Sequence, residues 1–232
     1  MKSFLRRLKF YGIGFGIGLV FVFFFFQNRG CTWLPSNRVK NSILDRVIVV
    51  SKQHEAALLK HGISKDEVIG FLNDGDVEFG RSKKKGNPQV YSLTSELDGK
   101  TVELWFTLPA NSFISEVQWP AGKVYYAGNT TQGTGEMIHF PNVRSLVFLG
   151  DDKYFLCQQD KLGLISTQVI FERLKKTGHI DFGKSRLNAT PKAQHYIWFT
   201  TAPGKQVASE TVWKKGHIEM SRFILADSLN CP

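Results

Sequence analysis

The chain contains an internal repeat, and this feature limits its possible folds more than any other part of the sequence. The segments GDVEFGRS at 75–82 and GHIDFGKS at 178–185 share two glycines, a phenylalanine and a serine, and three more positions carry conservative exchanges. Upstream, GISKDEVIGFL at 62–72 matches GLISTQVIFERL at 163–174. Downstream, the pairing of Tyr91 with Tyr196 continues the similarity. Self-similarity over this length predicts a duplicated structural unit.

The same order of elements is predicted in both copies. Each opens with an extended run, continues through one or two short helices that end at a glycine, and then alternates apolar and polar residues as half-buried strands do. Short connections between the strands favour antiparallel meanders, and helices on one face of such a sheet make an α+β fold. The predicted strands are 47–50, 76–82, 89–94, 101–107 and 113–119 in the first copy, and 146–149, 179–185, 194–200, 208–213 and 218–225 in the second.

The predicted fold is an N-terminal transmembrane helix followed by two related α+β units, each made of short helices packed on an antiparallel β-meander. The predicted boundaries are 1–30 for a cytoplasmic tip and transmembrane helix, 31–46 for a juxtamembrane linker, 47–119 for the first unit, 120–138 for a linker, 139–226 for the second unit and 227–232 for a C-terminal tail.

The membrane prediction depends on residues 10–26, an uncharged apolar run at the lower limit of length for a bilayer span. Basic residues precede the run without acidic ones, so the positive-inside rule predicts a single-pass protein of the bacterial inner membrane. Its N-terminus would be cytoplasmic and its C-terminal units extracytoplasmic. A buried core helix, a cleaved signal peptide and a lipoprotein signal at Gly30-Cys31 are the alternatives. Two overlapping G-x-x-x-G spacings, formed by Gly12, Gly14, Gly16 and Gly18, are able to bring two membrane helices close together. A glycine-tolerant span without a partner is the favoured interpretation.

Residues 178–185 also fit the phosphate-loop pattern G-x-x-x-x-G-K-[ST] through Gly178, Gly183, Lys184 and Ser185. A phosphate loop needs a strand before the first glycine and a helix after the serine. Here an amphipathic helix pattern precedes Gly178, and a polar stretch containing a proline follows Ser185. The match is therefore interpreted as a false one, produced by a strand that follows a helix in both copies. No nucleotide or other cofactor is predicted.

The cysteines indicate which metal sites and disulfides the chain can form, and the net charge indicates which partners it can bind. The three cysteines form no C-x-x-C pair, so a metal site is not indicated. Cys157 and Cys231 are compatible with a disulfide in an oxidising space, and two unrelated thiols are equally compatible. Residues 31–232 hold 25 basic and 20 acidic residues, a difference of +5. This mild excess permits contact with anionic lipid, envelope polymers or nucleic acid and requires none of them. The predicted partners are the lipid bilayer, an unknown protein and a second copy bound through the membrane helix, and nucleic acid is not among them.

Residues 51–77, SKQHEAALLKHGISKDEVIGFLNDGDV, resemble a bacterial domain-of-unknown-function family. The resemblance covers about residues 47–119 and implies a compact domain of helices and a meander. Some relatives look similar to ribonuclease toxins of the RelE and BrnT kind. His54 and the Gly-Ile-Ser at 62–64 match the pattern, whereas Leu58 and His61 stand where arginines are expected.

Metal-free ribonuclease chemistry needs a base, an acid and cations for the phosphate. The catalytic candidates are His54, Arg81 and Tyr91, with Lys83, Lys84 and Lys85 as further cations. Each also has a simpler interpretation, since a histidine at a helix start binds local backbone and a basic loop is commonly solvated. The sequence therefore favours a membrane-anchored binding or scaffolding module that is not an enzyme. The alternative is a ribonuclease-like domain on a membrane anchor.

Overall fold

The computed structural model describes residues 2–27, 34–120, 133–141, 147–202, 204–214, 216–225, 229 and 231. Two compact units are present, Met1–Arg38 and Val39–Pro232. The described helices are α1 (Lys2–Gln27), α2 (Pro35–Leu44), α3 (Lys52–Lys60), α4 (Lys65–Asn73), α5 (Lys153–Leu162) and α6 (Thr167–Thr177). The described strands are β1 (Val47–Ser51), β2 (Asp76–Val77), β3 (Gln89–Leu97), β4 (Lys100–Leu108), β5 (Ile114–Gln118), β6 (Thr134–His139), β7 (Val147–Leu149), β8 (His179–Asp181), β9 (His195–Thr200), β10 (Gln206–Lys214) and β11 (His217–Ile224).

Helix α1 contains the run that the sequence predicts as a membrane span. Among the residues described, no helix combines the length with the apolar character that crossing a membrane requires. The predicted transmembrane helix and single-pass inner-membrane location are therefore wrong on this finding. The glycines at 12, 14, 16 and 18 lie in α1, where an added Cβ meets no described atom within 4 Å.

The described strands form one mixed sheet in the order β2-β3-β4-β5-β1-β6-β8-β9-β10-β11-β7. The order β2-β3-β4-β5-β1 of the first half is repeated as β8-β9-β10-β11-β7 in the second. In each half, two helices follow the opening strand: α3 and α4 follow β1, and α5 and α6 follow β7. The duplication read from the sequence is therefore present in the topology. Below, 47–119 is called the first copy and 147–225 the second copy.

Each copy departs from a purely antiparallel meander at its opening strand. β1 pairs with β5 in parallel, and β7 pairs with β11 in parallel. A parallel pair requires a long crossover, and two helices with the intervening hairpins provide one in each copy. The prediction of antiparallel meanders is wrong for these two pairs.

Strand β6 joins the two copies into one sheet. It lies antiparallel to β1 on one side and to β8 on the other. It comes from the segment 120–138 predicted as a linker, of which residues 121–132 lie outside the described residues. The segment 31–46, also predicted as a linker, contributes α2.

Local sequence explains where the paired helices begin. Ser51 and Asp152 are the N-caps of α3 and α5, and Ser64 and Ser166 are the N-caps of α4 and α6. Their side-chain oxygens accept backbone N–H groups that the first helical turn leaves unpaired. Ser64 also forms a reciprocal capping box with Glu67.

Two apolar cores flank the sheet, and β1 contributes to both. Its residues are all buried, with Ile48 and Val50 in the core of the first copy. Val47 and Val49 belong instead to the core of the second copy. A strand buried on both faces carries a continuous apolar run, which is the pattern seen at 47–50.

Candidate functional site

An open groove lies on the face of β9, β10 and β11 that points away from the second copy's core. Ile197 and Phe199 in β9 are fully buried, whereas Tyr196 and Trp198 are half-buried, as alternation along a strand requires. Two cavities occupy this face, of about 430 Å³ and about 380 Å³. Lys184 and Tyr196 line both, so the two cavities adjoin at these side chains.

The duplication identifies the corresponding residues of the two copies. Ser82 Oγ accepts the N–H of Ser92, and Ser185 Oγ accepts the N–H of Tyr196, so Tyr196 corresponds to Ser92. Two residues further along each strand, Thr94 pairs with Glu103 and Trp198 pairs with Ala208. Ala208 therefore occupies the position of Glu103. Lys184 corresponds to Arg81 by their places in the repeated motif.

In the first copy this face is closed by a network centred on Glu103. Arg81 Nη2 lies 2.6 Å from Glu103 Oε2. The Ser92 hydroxyl and the Trp105 indole N–H both donate to Glu103 Oε1. One carboxylate thus neutralises the cation and satisfies two further polar groups, so this face of the first copy presents no uncompensated charge at Arg81.

In the second copy the equivalent cation lacks that carboxylate, because Ala208 takes its place. Lys184 Nζ lies 3.9 Å from Asp181 Oδ2, at the limit of an ion pair, and its side chain is 61% exposed. The ammonium group also lies 4.5 Å from the centre of the Tyr196 ring. Exposed lysine–carboxylate pairs of this kind contribute little, so Lys184 keeps a positive charge directed to the groove.

Trp198 lies on the same face as Tyr196 and is held by a ring contact. The His179 imidazole is stacked on its indole, with 4.2 Å between ring centroids and an interplanar angle of 7°. Stacking restrains the indole, which also lines the smaller cavity. The groove therefore combines a cation with two aromatic rings.

The phosphate-loop motif has a different geometry from a nucleotide site. Helix α6 ends immediately before Gly178, β8 follows, and a turn occupies the residues after it. Lys184 N donates to Asp181 Oδ1 and Ser185 Oγ donates to Asp181 O, so the turn is held by its own residues. No helix follows Ser185 within the described stretch 147–202, which matches the interpretation of a strand that follows a helix.

The three catalytic candidates do not come together at one site. Tyr91 belongs to the core of the first copy, where burial raises the pKa of its hydroxyl. Ser92, its neighbour in β3, points to the opposite face and bonds Glu103, the partner of Arg81. Arg81 and Tyr91 therefore lie on opposite faces of the sheet. Lys83, Lys84 and Lys85 are exposed in the loop between β2 and β3.

His54 lies in α3 and is nearly fully buried. Its Nδ1 atom accepts the backbone N–H of Trp119 at 3.2 Å, which places the proton of the neutral ring on Nε2. Burial lowers the pKa of His54 below its usual value. In the second copy, the Gln158 side-chain oxygen accepts the backbone N–H of Phe223 in the corresponding strand. Both side chains thus bind a backbone N–H of the strand, which indicates that the His54 contact is structural.

A second buried histidine connects the copies. His195 Nδ1 donates to the Thr211 carbonyl at 3.1 Å, so Nε2 is the acceptor for the Ser112 hydroxyl at 2.8 Å. The Phe113 ring lies against the imidazole, with centroids 4.0 Å apart. Burial lowers the pKa of His195 to about 4, although the Thr211 carbonyl opposes this shift. The neutral imidazole thus ties the β4–β5 loop to β9 and β10.

The cysteines and histidines show no metal centre in the described residues, where no cluster of three or more His, Cys, Asp or Glu could hold an ion. Cys157 in α5 forms a disulfide with Cys231, with 5.9 Å between their Cα atoms. The bond attaches the end of the chain to the second copy.

Sequence reasoning did not find the groove. The sequence Gly99-Lys100 recurs as Gly204-Lys205, eight residues after Tyr91 and after Tyr196. The same offset aligns Glu103 with Ala208, so the missing carboxylate was visible in the repeat. The structure aligns Tyr196 with Ser92, and not with Tyr91 as the sequence predicted. The second copy has one extra residue in the loop before β9 and another in the turn between β9 and β10, whereas the sequence pairing placed both before β9.

Comparisons of the chain with protein-family models, with curated proteins and with solved structures found no match. The resemblance of residues 51–77 to the toxin-related family therefore stays a prediction.

Proposed function

We propose that this protein is a binding module and that the groove on β9–β11 receives an anionic ligand with a planar ring. The observation that carries the proposal is the replacement of Glu103 by Ala208 in the second copy. Arg81 and Lys184 occupy the same position in the two copies, but only Arg81 has the carboxylate of Glu103 as its partner. The small Ala208 side chain lines a cavity together with Lys184. An anionic group of a ligand can take the place that the carboxylate has in the first copy.

The other lining residues support the same ligand. Tyr196 and Trp198 line the smaller cavity, and aromatic side chains are a usual lining of small-molecule sites. Glu210 and Glu219 also line the larger cavity, but each pairs with a basic side chain, Arg222 and Lys214 respectively. Their charges are thus partly compensated within the protein.

A catalytic role receives less support. His54 has its Nδ1 atom bonded to backbone, and Arg81 and Tyr91 lie on opposite faces of the sheet. General acid–base chemistry needs these groups within hydrogen-bond reach of one substrate.

Calorimetric titration of the full-length protein with adenosine monophosphate tests the proposal, because this probe carries both a phosphate and a planar ring. We expect binding that Lys184→Ala weakens about tenfold, equivalent to ~1.4 kcal/mol. Ala208→Glu restores the carboxylate of the first copy and should weaken binding at least as much. Ala208→Gln is the matched control of the same size without the charge, and it should weaken binding less. Arg81→Ala, in the closed face of the first copy, should leave binding unchanged. Equal affinity in the wild type and Lys184→Ala would refute the proposal.

A further inference from the structure

The corresponding loops of the two copies meet in the folded chain. The loop between β2 and β3 contacts the loop between β8 and β9 where Asn87 Nδ2 donates to the Asn188 carbonyl at 3.3 Å. Asn87 Oδ1 in turn accepts the N–H of Ala110 at 2.9 Å, which holds the side chain in place. Residues about a hundred positions apart in sequence thus form one continuous surface.

This surface is strongly basic. Its exposed cations, called here the basic ridge, are Lys83, Lys84, Lys85, Arg186 and Lys192. Across the described residues, none of the five forms an ion pair with a carboxylate. Lys192 also lines the larger cavity beside Lys184, so the ridge leads directly into the groove. An uncompensated row of cations favours a ligand that carries several negative charges along its length.

The aromatic residues specify which polyanion fits. Tyr196 and Trp198 lie two residues apart on one face of β9, so their side chains are ~7 Å apart along the strand. Aromatic side chains on a sheet face stack successive unpaired bases in proteins that bind single strands. Bases within a duplex are already stacked on each other and cannot cover these rings.

We propose that the groove and the basic ridge together bind single-stranded nucleic acid, with bases on Tyr196 and Trp198 and backbone phosphates along the ridge. This inference rests on the proposed function, since the groove must accept an anionic ligand. The net charge of residues 31–232 is small because it is summed over the whole segment, and it does not describe the local cluster of cations in the basic ridge. The contact between Asn87 and Asn188 brings together the two loops that carry these cations, and Lys192 of this set lines the groove.

Fluorescence anisotropy of the full-length protein with a labelled 12-residue oligouridylate measures this binding. We expect the oligomer to bind more tightly than adenosine monophosphate and than a duplex of equal length. Reversing Lys83, Lys84 and Lys85 together to Glu should weaken binding about tenfold or more. It should also reduce the slope of log affinity against log salt by about 2. Trp198→Ala should cost about tenfold, and circular dichroism checks that both variants are folded.

A matched control changes the same charge elsewhere. Lys52, Lys60 and Lys100 are also exposed and form no ion pair among the described residues. Their joint reversal to Glu should weaken oligomer binding much less than reversal in the ridge.

The outcomes separate this inference from the proposed function. If adenosine monophosphate binds through Lys184 but the oligomer binds no more tightly, the nucleic-acid inference is wrong and the proposed function stands. Equal loss from the two triple reversals, or equal affinity for heparin, would show that charge alone is responsible and would also overturn it. If neither probe binds, both proposals fail.

Discussion

Replacing Gly178 by alanine tests whether the phosphate-loop pattern records a helix-to-strand junction or a nucleotide site. A Cβ at this position would lie 2.3 Å from the Leu174 carbonyl oxygen and 3.0 Å from Met137 Sδ. The oxygen is backbone at the end of α6, so the helix end and β8 must move apart by several tenths of an ångström or more. This shift strains the bond from Gly178 N to Leu174 O and the bond from Met137 N to Gly178 O.

The expected cost is about 2–4 kcal/mol, from one or two weakened hydrogen bonds and the strain of overpacking. In a protein of this size it lowers the melting temperature by about 10 °C. Gly75 occupies the corresponding junction of the first copy, where an added Cβ would lie 2.5 Å from the Phe71 carbonyl oxygen. Gly75→Ala should therefore destabilise the protein similarly.

Gly183 provides the matched control, since it is the second glycine of the same pattern. Its nearest neighbour for an added Cβ is Asp181 Oδ1 at 3.4 Å, an ordinary contact, and its φ is not positive. Gly183→Ala should stay within about 1 kcal/mol of the wild type and can be slightly stabilising. Urea denaturation followed by circular dichroism measures all three variants. The reasoning would be refuted if Gly178→Ala had the unfolding free energy of the wild type, or if Gly183→Ala lost as much unfolding free energy as Gly178→Ala.

Three further predictions concern stability. The Cys157–Cys231 disulfide spans 74 residues, so the double serine variant should lose about 4 kcal/mol of unfolding free energy by chain entropy; an unchanged urea midpoint would contradict this. Because the pKa of His195 is lowered to about 4, the unfolded state takes up the proton first as the pH falls below ~6.5. The neutral His195 makes its full contribution to the free energy of unfolding above that pH. This contribution is lost as the pH falls towards 4, and the loss is about 2 kcal/mol at pH 5. Unfolding of the wild type and His195→Gln at pH 7.5 and 5.0 measures it, and an equal pH dependence in both would contradict it. His54→Phe removes the acceptor for the Trp119 N–H and should cost about 1–3 kcal/mol. RNA cleavage that disappears in this variant would support a nuclease instead.

A comparison of the predicted and the observed strands shows how much of the fold the sequence predicts. Local rules place ten of the strands close to where the sequence predicts them, because alternation, turns and N-caps act within a few residues. β2 and β8 are both shorter than predicted, Asp76–Val77 instead of 76–82 and His179–Asp181 instead of 179–185, since the chain turns at the residues that follow each of them. β6 was missed, because a short strand within a segment rich in glycine and threonine has no strong pattern of its own.

The candidate site depends on register. A shift of one residue in a strand moves every side chain to the other face. The sequence aligned Tyr91 with Tyr196, whereas the structure places Ser92 at that position and pairs Ala208 with Trp198. The repeat already aligned Glu103 with Ala208, but only the register shows that Tyr196 and Trp198 lie on the open face beside it.

The sequence by itself determined the duplication, the junction glycines and the order of the helices and strands shared by the two copies, because these depend on neighbouring residues and on similarity between two segments. Only the tertiary structure decided that the copies share one sheet through β6 and that their basic loops meet at Asn87 and Asn188. It also decided which cation keeps its carboxylate partner. These features depend on contacts between residues far apart in the chain, whose geometry is set by strand register and sheet order.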